Sequence, residues 1–171
     1  MATANQNLSD YDYESVPEAT GMRFGVVVSE WNHAITSALA EGAIATLQRH
    51  GAAPDDILVH HVPGSYELPF GAQLVLESSN VDAVICLGSV IRGETSHFDF
   101  VCQAVSQGIK DVGLAYHLPV VFGVLTDDNL QQAKDRSGGR HGNKGDEAAV
   151  TAIKMVALQN NLEQRVFRSS L

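Results

Sequence analysis

Four stretches of this chain are near-continuous apolar runs rich in β-branched residues: residues 22–29 (MRFGVVVS), Ile57–Val62 (ILVHHV), 82–87 (DAVICL) and 119–125 (PVVFGVL). Each precedes a segment whose apolar residues recur three and four apart, the spacing of one helix face. A strand without polar alternation is buried on both sides, as in parallel sheets covered by helices. The pattern therefore predicts strand and helix in alternation. Helices are predicted over residues 32–50, closed by Gly51, and over residues 68–78, opening near Pro69. Three more run from Thr95 or Ser96 to Tyr116, from Asp127 or Asp128 to Arg136, and over 146–162, the last after a glycine-rich loop at 138–145. Right-handed crossovers fold that order into a three-layer α/β/α domain with a four-stranded parallel sheet. Residues 13–19 offer a weaker fifth strand, for this sheet or for a neighbour's.

Residues 1–15 are polar and aperiodic and read as a flexible tail ahead of a single domain at 16–171. The helix at 32–50 carries two apolar stripes, Ile35, Leu39 and Gly42 on one side and Ala40, Ile44 and Leu47 on another. Covering a sheet takes one stripe, so the second points to a protein partner.

Composition narrows the function classes. With 11 Lys and Arg against 20 Asp and Glu, the net charge is −9. That balance argues against nucleic acid and anionic membrane as partners. No apolar run approaches the roughly 20 residues of a membrane span. The first basic residue is Arg23, so the N-terminus lacks the features of a secretory signal, and a cytoplasmic protein is expected. Cys86 and Cys102 lie inside apolar segments and read as buried thiols. His60 and His61 are adjacent on a strand and point to opposite faces, so they cannot share a metal. No metal and no cofactor are expected.

In an open parallel sheet, ligands bind beyond the carboxyl ends of the strands. The loops there carry more than connectors need. The first holds Trp31 and Asn32, and the second Ser65, Tyr66 and Glu67. Two aromatics at one end of a sheet suit a flat ring. The third loop, 88–97, includes Ser89, Val90, Ile91, Glu94, Thr95 and His97, and carries glycines at 88 and 93. Glycines let backbone N–H groups turn toward an anion, and the following helix aims its positive end the same way. His97, in the first helical turn, suits a proton acceptor, because that end disfavours a charged ring; the plainer alternative is a structural His bonded to Asp99. Finally, Lys134, Arg136, Arg140 and Lys144 gather 4 of the 11 basic residues around the glycine-rich loop. Such a cluster suits an anion, and Arg in particular a phosphate. Residue types alone thus describe a site for a flat ring, a phosphate and one base.

The same stretches resemble the lumazine synthase family from Arg23 to Leu162. The likeness rests on Val28-Ser29-x-Trp31-Asn32 and on Val62 to Leu68. It continues through Leu87 to Asp99 with its Gly-x-Val-Ile-Arg-Gly-x-Thr-x-His core, Pro119-Val120-x-Phe122-Gly123, and Arg136 to Gly139 followed by Gly142 to Gly145. Five ordered motifs are far more specific than any one.

The resemblance implies a flavodoxin-like fold assembled as homopentamers, with active sites between neighbours. The implied reaction condenses 5-amino-6-(D-ribitylamino)uracil with 3,4-dihydroxy-2-butanone 4-phosphate, without cofactor. Carried over by motif, Trp31 would stack on the pyrimidine, and Asn32 and Glu67 would bind the ribityl chain. Ser65, Tyr66, Ser89, Val90 and Ile91 would line the pocket, Thr95 and the backbone around Glu94 would help hold phosphate, and His97 would move protons. Phe122, Arg136 and Lys144 would reach in from the next subunit, Arg136 onto the phosphate. The chain departs from the family pattern at Trp31 and Tyr66, where Phe is common, and at Ser137, where Ala is common. A larger ring at 31 suits flat ligands and keeps a second reading in view, a riboflavin-binding paralogue with weak synthesis. The likeness is to members that close sixty subunits into an icosahedral shell, with riboflavin synthase as a candidate partner. A flavodoxin or a receiver domain does not fit, because the loop after the first strand has neither a Ser/Thr/Gly phosphate cradle nor an acidic pair.

Overall fold

The four apolar runs form one parallel sheet: β1 (Phe24–Ser29), β2 (Ile57–Val62), β3 (Ala83–Ile91) and β4 (Val120–Asp127), in the order β2-β1-β3-β4. The structure, a computed structural model, describes residues 7–169, with side chains described as far as Gln164. Five helices cover the sheet: α1 (His33–Arg49), α2 (Leu68–Ser78), α3 (His97–Tyr116), α4 (Leu130–Arg136) and α5 (Lys144–Ser169). None among the described residues is long and apolar enough to cross a membrane.

Alternation along each central strand feeds two cores. Phe24, Val26 and Val28 of β1 and Ile85 and Leu87 of β3 join Leu39, Leu47, Ala149 and Ile153 under α1 and α5. Val27, Val84 and Cys86 turn the other way and join Leu68, Val75, Val105 and Ile109 under α2 and α3. Phe24, Leu39, Leu47 and Ile153 are fully buried, and each such side chain contributes about 1.5–3 kcal/mol. Cys86 is sealed in the second core, where burial pushes its thiol up to about 12. Cys102 is only half-buried, short of the burial expected from its apolar segment.

Several boundaries differ from the predicted ones, each for a local reason. β3 continues past Leu87 because Ser89, Val90 and Ile91 pair with Leu125, Thr126 and Asp127 of an equally extended β4. Residues assigned to a loop are therefore strand. Neither Asp127 nor Asp128 caps α4; Asn129 does, accepting from Gln132 N–H at 3.0 Å. The glycine-rich loop is a small antiparallel hairpin, β5 (Ser137–Gly139) and β6 (Gly142–Asn143), and α5 follows it directly. α5 of the same chain packs along α1 on the side of Leu39 and Gly42, while Ala40 and Ile44 of the second stripe stay half-buried. Gly42 lies so close to Asn143 and Asp146 that a Cβ there would sit 2.5 Å from Asn143 Nδ2 and 2.6 Å from Asp146 Oδ1. The buried face of α1 runs Ile35, Leu39, Ala43 and Leu47.

Residues 13–19 form no strand in the chain's own sheet. They begin with a 3-10 turn, Tyr13–Ser15, whose N-terminus Asp12 caps by accepting from Glu14 N–H at 3.1 Å. The Tyr13 ring stacks on His50 at 4.5 Å between centroids, Tyr11 Oη lies 3.2 Å from His50 Nε2, and Ala19 N–H donates to the His50 carbonyl at 2.7 Å. Residues 1–6 of the expected tail lie outside the described residues. Residues 7–9 meet the hairpin: Leu8 N–H donates to the His141 carbonyl at 2.7 Å and Asn143 N–H to Ser9 Oγ at 2.9 Å. Gly142 has φ +76°, and a side chain there would strike Asn7 and Ser9, so glycine is required on both counts.

Candidate active site

The carboxyl ends of β1, β2 and β3 carry the first group of predicted residues. The chain leaves β1 through Trp31, 72% exposed, whose N–H donates to the Pro63 carbonyl at 3.2 Å. That bond ties the first two loops together and sets Trp31 beside the Ser65–Glu67 turn. Asn32 takes the left-handed conformation, φ 59°, and its Nδ2 donates to the Ser89 carbonyl at 3.0 Å, reaching from the first loop to β3. Tyr66 is 62% exposed. Gly64 leaves room for the Glu67 carboxylate to fold back, with Oε2 3.0 Å from where a Cβ would stand.

Two buried hydroxyls here have no hydrogen-bond partner among the described residues, those of Ser65 and Ser89. A buried hydroxyl left unsatisfied costs about 1–3 kcal/mol, so both are groups a ligand or water can satisfy. Val90 and Ile91 continue β3 and are half-buried. Beyond them Glu94, Thr95 and His97 are all exposed. Glu94 stands in solvent. Thr95 Oγ1 accepts from His97 N–H at 3.4 Å, fastening the first residue of α3. The expected structural alternative for His97, a bond to Asp99, is not formed. Asp99 instead accepts from Arg92 Nη2 at 3.2 Å, while Arg92 Nε donates to Asp128 at 3.3 Å and the guanidinium caps the Phe98 ring at 4.1 Å.

The second group lies elsewhere. A groove bounded by α3, β4 and α5 is lined by Phe122, Asp127, Arg136, His141, Lys144 and Glu147 among others. Neither Trp31, Tyr66, Glu67 nor His97 lines it. Of the four clustered cations only Arg136 and Lys144 reach the groove; Arg140 is held by Asp135 at 2.9 Å and Lys134 is exposed. Arg136 ends α4 and donates to the Gln132 carbonyl at 3.0 Å. Lys144 opens α5, with Nζ 2.9 Å from Glu147 Oε1. The hairpin places these two cations on one wall, which spacing alone did not reveal.

Sequence reasoning overlooked three residues. Asp127 is expected as a helix cap in the last of the strand-end loops, with no role of its own, yet it is buried at the end of β4 with Oδ1 3.8 Å from Arg136. Asn143 was noted only as part of a motif, yet it bonds α1, α5 and the N-terminal segment. His141 looked like loop and lines the groove. The doubled Asp at 127 and 128 was the one available signal, since a strand that ends in two acids next to an Arg-bearing helix needs only one for a cap.

The family model for 6,7-dimethyl-8-ribityllumazine synthase matches residues 21–160. The chain is similar to proteins named 6,7-dimethyl-8-ribityllumazine synthase in three bacteria. The one from Parabacteroides distasonis is 60% identical over 156 residues, covering 91% of this chain and 98% of the relative. That from Phocaeicola vulgatus is 56% identical over 164 residues, covering 96% and 98%. The Porphyromonas gingivalis protein is 55% identical over 159 residues, covering 93% and 99%. The matched span holds both groups of site residues, the loop rim and the groove wall. By that match and by its parallel three-layer fold, the chain belongs to the 6,7-dimethyl-8-ribityllumazine synthase family.

Proposed function

We propose that the synthase activity of this family runs here at a site completed by a second copy of the chain. The reaction condenses 5-amino-6-(D-ribitylamino)uracil with 3,4-dihydroxy-2-butanone 4-phosphate, the penultimate step of riboflavin biosynthesis. The amine adds to the carbonyl and loses one water to give an imine. Phosphate then leaves, the ribityl-bearing nitrogen closes the ring, and a second water departs with 6,7-dimethyl-8-ribityllumazine. Holding two substrates in register supplies most of the acceleration such a sequence needs.

In this reading Trp31 and Tyr66 cover the pyrimidine, and Ser65, Ser89, Val90 and Ile91 form its floor. Asn32 and Glu67 bind the ribityl hydroxyls. His97 exchanges protons at the imine and ring-closure steps. Thr95 and the backbone around Glu94 hold the phosphate end, while Arg136 meets it, and Phe122 and Lys144 press in, from the neighbouring copy. What supports the composite site is the division of these residues between a loop rim and a separate groove wall. Two further features agree. The groove holds about 1550 Å³, beyond the roughly 300–1,000 Å³ of a small-molecule pocket, leaving room for a neighbour's element. Phe70, Phe100 and Leu114 on α2 and α3 are each more than 60% exposed, the kind of surface that pairs with another protein. A closed ring of five, twelve rings in an icosahedral shell, and a cytoplasmic location complete the proposal, with riboflavin synthase as a candidate guest. The relatives' names favour the synthase over a riboflavin-binding paralogue.

The test mixes inactive variants. His97→Ala and Arg136→Ala are each expected to lose lumazine formation, followed by absorbance. Unfolded together and reassembled 1:1, they should regain about a quarter of wild-type activity, because random neighbours restore that share of composite sites. No recovery on mixing, with assembly intact, rules out a site shared between copies.

A further inference from the structure

Asp127 has no role in the site as described, yet its surroundings are incomplete. It closes β4, is 4% exposed, and its Oδ1 lies 3.8 Å from Arg136 Nη1, too far for a hydrogen bond. Its Oδ2 is buried without a hydrogen-bond partner among the described residues. The other acids nearby have close partners. Asp99 and Asp128 share Arg92, Asp135 holds Arg140, and Glu147 holds Lys144. Asp127 alone leans on a cation that the phosphate is to use. Burial pushes its carboxyl above the usual carboxylate range, the Arg136 charge pulls it back, and Asp128 pushes it up again. Its surroundings are Arg136 from α4, Asp128 beside it, and the Arg92 N–H on its carbonyl at 2.9 Å, with His141, Lys144 and Glu147 on the same groove.

We propose that Asp127 is a positioning residue that holds Arg136 until an oxyanion takes the guanidinium over, whereupon the Asp127 carboxylate accepts one proton from solvent. The proposal rests on the reading of Arg136 as the phosphate ligand. Without its cation, a buried carboxylate beside a bound anion is the least favourable charge in the groove, and protonation removes it. The reverse step serves product release. When Asp127 gives the proton up it recaptures Arg136, and the phosphate freed by the reaction loses its clamp.

Anion binding is then linked to proton uptake. Across a window above the ordinary carboxylate range, affinity falls up to about tenfold per pH unit, and it levels off on either side. Sulfate is the probe, since its charge is constant between about pH 5 and 8 while phosphate titrates there itself. Calorimetry on the assembled wild type, in buffers of different ionisation enthalpy, should show uptake approaching one proton per sulfate inside the window. Asp127→Asn keeps the shape without the charge. It should bind sulfate more tightly at the upper end and lose the slope; whatever slope His97 contributes stays in both proteins. The double variant D127N/R136A should lose sulfate binding. If Asp127→Asn matches wild type in affinity and slope while the double variant loses binding, the proposal is overturned and Arg136 remains the anion ligand. Sulfate binding that survives in the double variant overturns both. Should Asp127→Asn not fold, the wild-type proton count decides alone, and a count of zero overturns the proposal.

Discussion

Asn143 ties α1 to the start of α5 beside the groove wall through two side-chain hydrogen bonds. Its Oδ1 accepts from Gly145 N–H at 2.8 Å, satisfying an orphan amide of the first turn of α5, and its Nδ2 donates to the Ala38 carbonyl of α1 at 2.8 Å. Gly145 makes the approach feasible, because any Cβ there would overlap the Leu39 carbonyl. Replacing Asn143 with Ala deletes both bonds and keeps the backbone. Loss of an N-cap costs about 1 kcal/mol, and the second, partly buried bond adds about 0.5–1.5 kcal/mol. Together, about 2 kcal/mol should lower the melting temperature by roughly 4–8 °C for a chain of this length. Melting must be compared at equal protein concentration, since assembly shifts the midpoint. Asn143→Asp keeps the cap and favours the helix dipole, but it sets a carboxylate against the Ala38 carbonyl and near Asp146, so it should recover only part of the loss. Because Lys144 follows directly, turnover should fall with stability. A melting temperature within about 1 °C of wild type for Asn143→Ala would refute the reasoning, meaning that water replaces both bonds at no cost.

Two further outcomes are expected. Burial holds the His50 ring below its ordinary value, opposed by Glu18 and reinforced by Arg49, so the native state refuses a proton that the unfolded chain accepts. As pH falls below about 6.5 this residue therefore subtracts stability, until its depressed folded value is passed; His50→Asn should flatten that part of the slope in denaturant midpoints at pH 8 and 5, and equal slopes would count against it. Trp31, mostly exposed, should be replaceable by Ala within about 0.5 kcal/mol of stability, while the KM for the pyrimidine rises roughly 2–10-fold from lost stacking; an unchanged KM removes Trp31 from the ring site.

The sheet and the helices that cover it were legible because burial on both faces leaves its mark on every residue of a strand. Ile57–Val62 and Leu68–Ser78 could be bounded to the residue. The ends of β3 and β4 could not, because Ser89 and Thr126 look like loop and become strand only when each supplies the other's neighbours with partners. The rim residues Trp31, Tyr66 and Glu67 stood out as side chains that connectors do not need. The groove wall did not, since Phe122 resembles core, and Arg136 and Lys144 meet only through a hairpin whose pairing depends on Gly142. Asp127 was hidden for a different reason: a carboxylate before a helix has a commonplace explanation, and only its burial removes it.

The sheet order also sets what a visitor meets. β1 and β3 are neighbours whose following helices, α1 and α3, leave to opposite faces, and such a divergence opens a cleft at the strand ends. Here the cleft is bridged: the Asn32 amide, held at an unusual backbone angle, is bonded across it to Ser89. An incoming planar molecule finds a laced seam where a slot would be. It can lie along the surface, against the two exposed rings, or it can undo the lace at the cost of about one hydrogen bond. A guest that lies on top leaves its upper side uncovered, the side that the proposed second copy would roof.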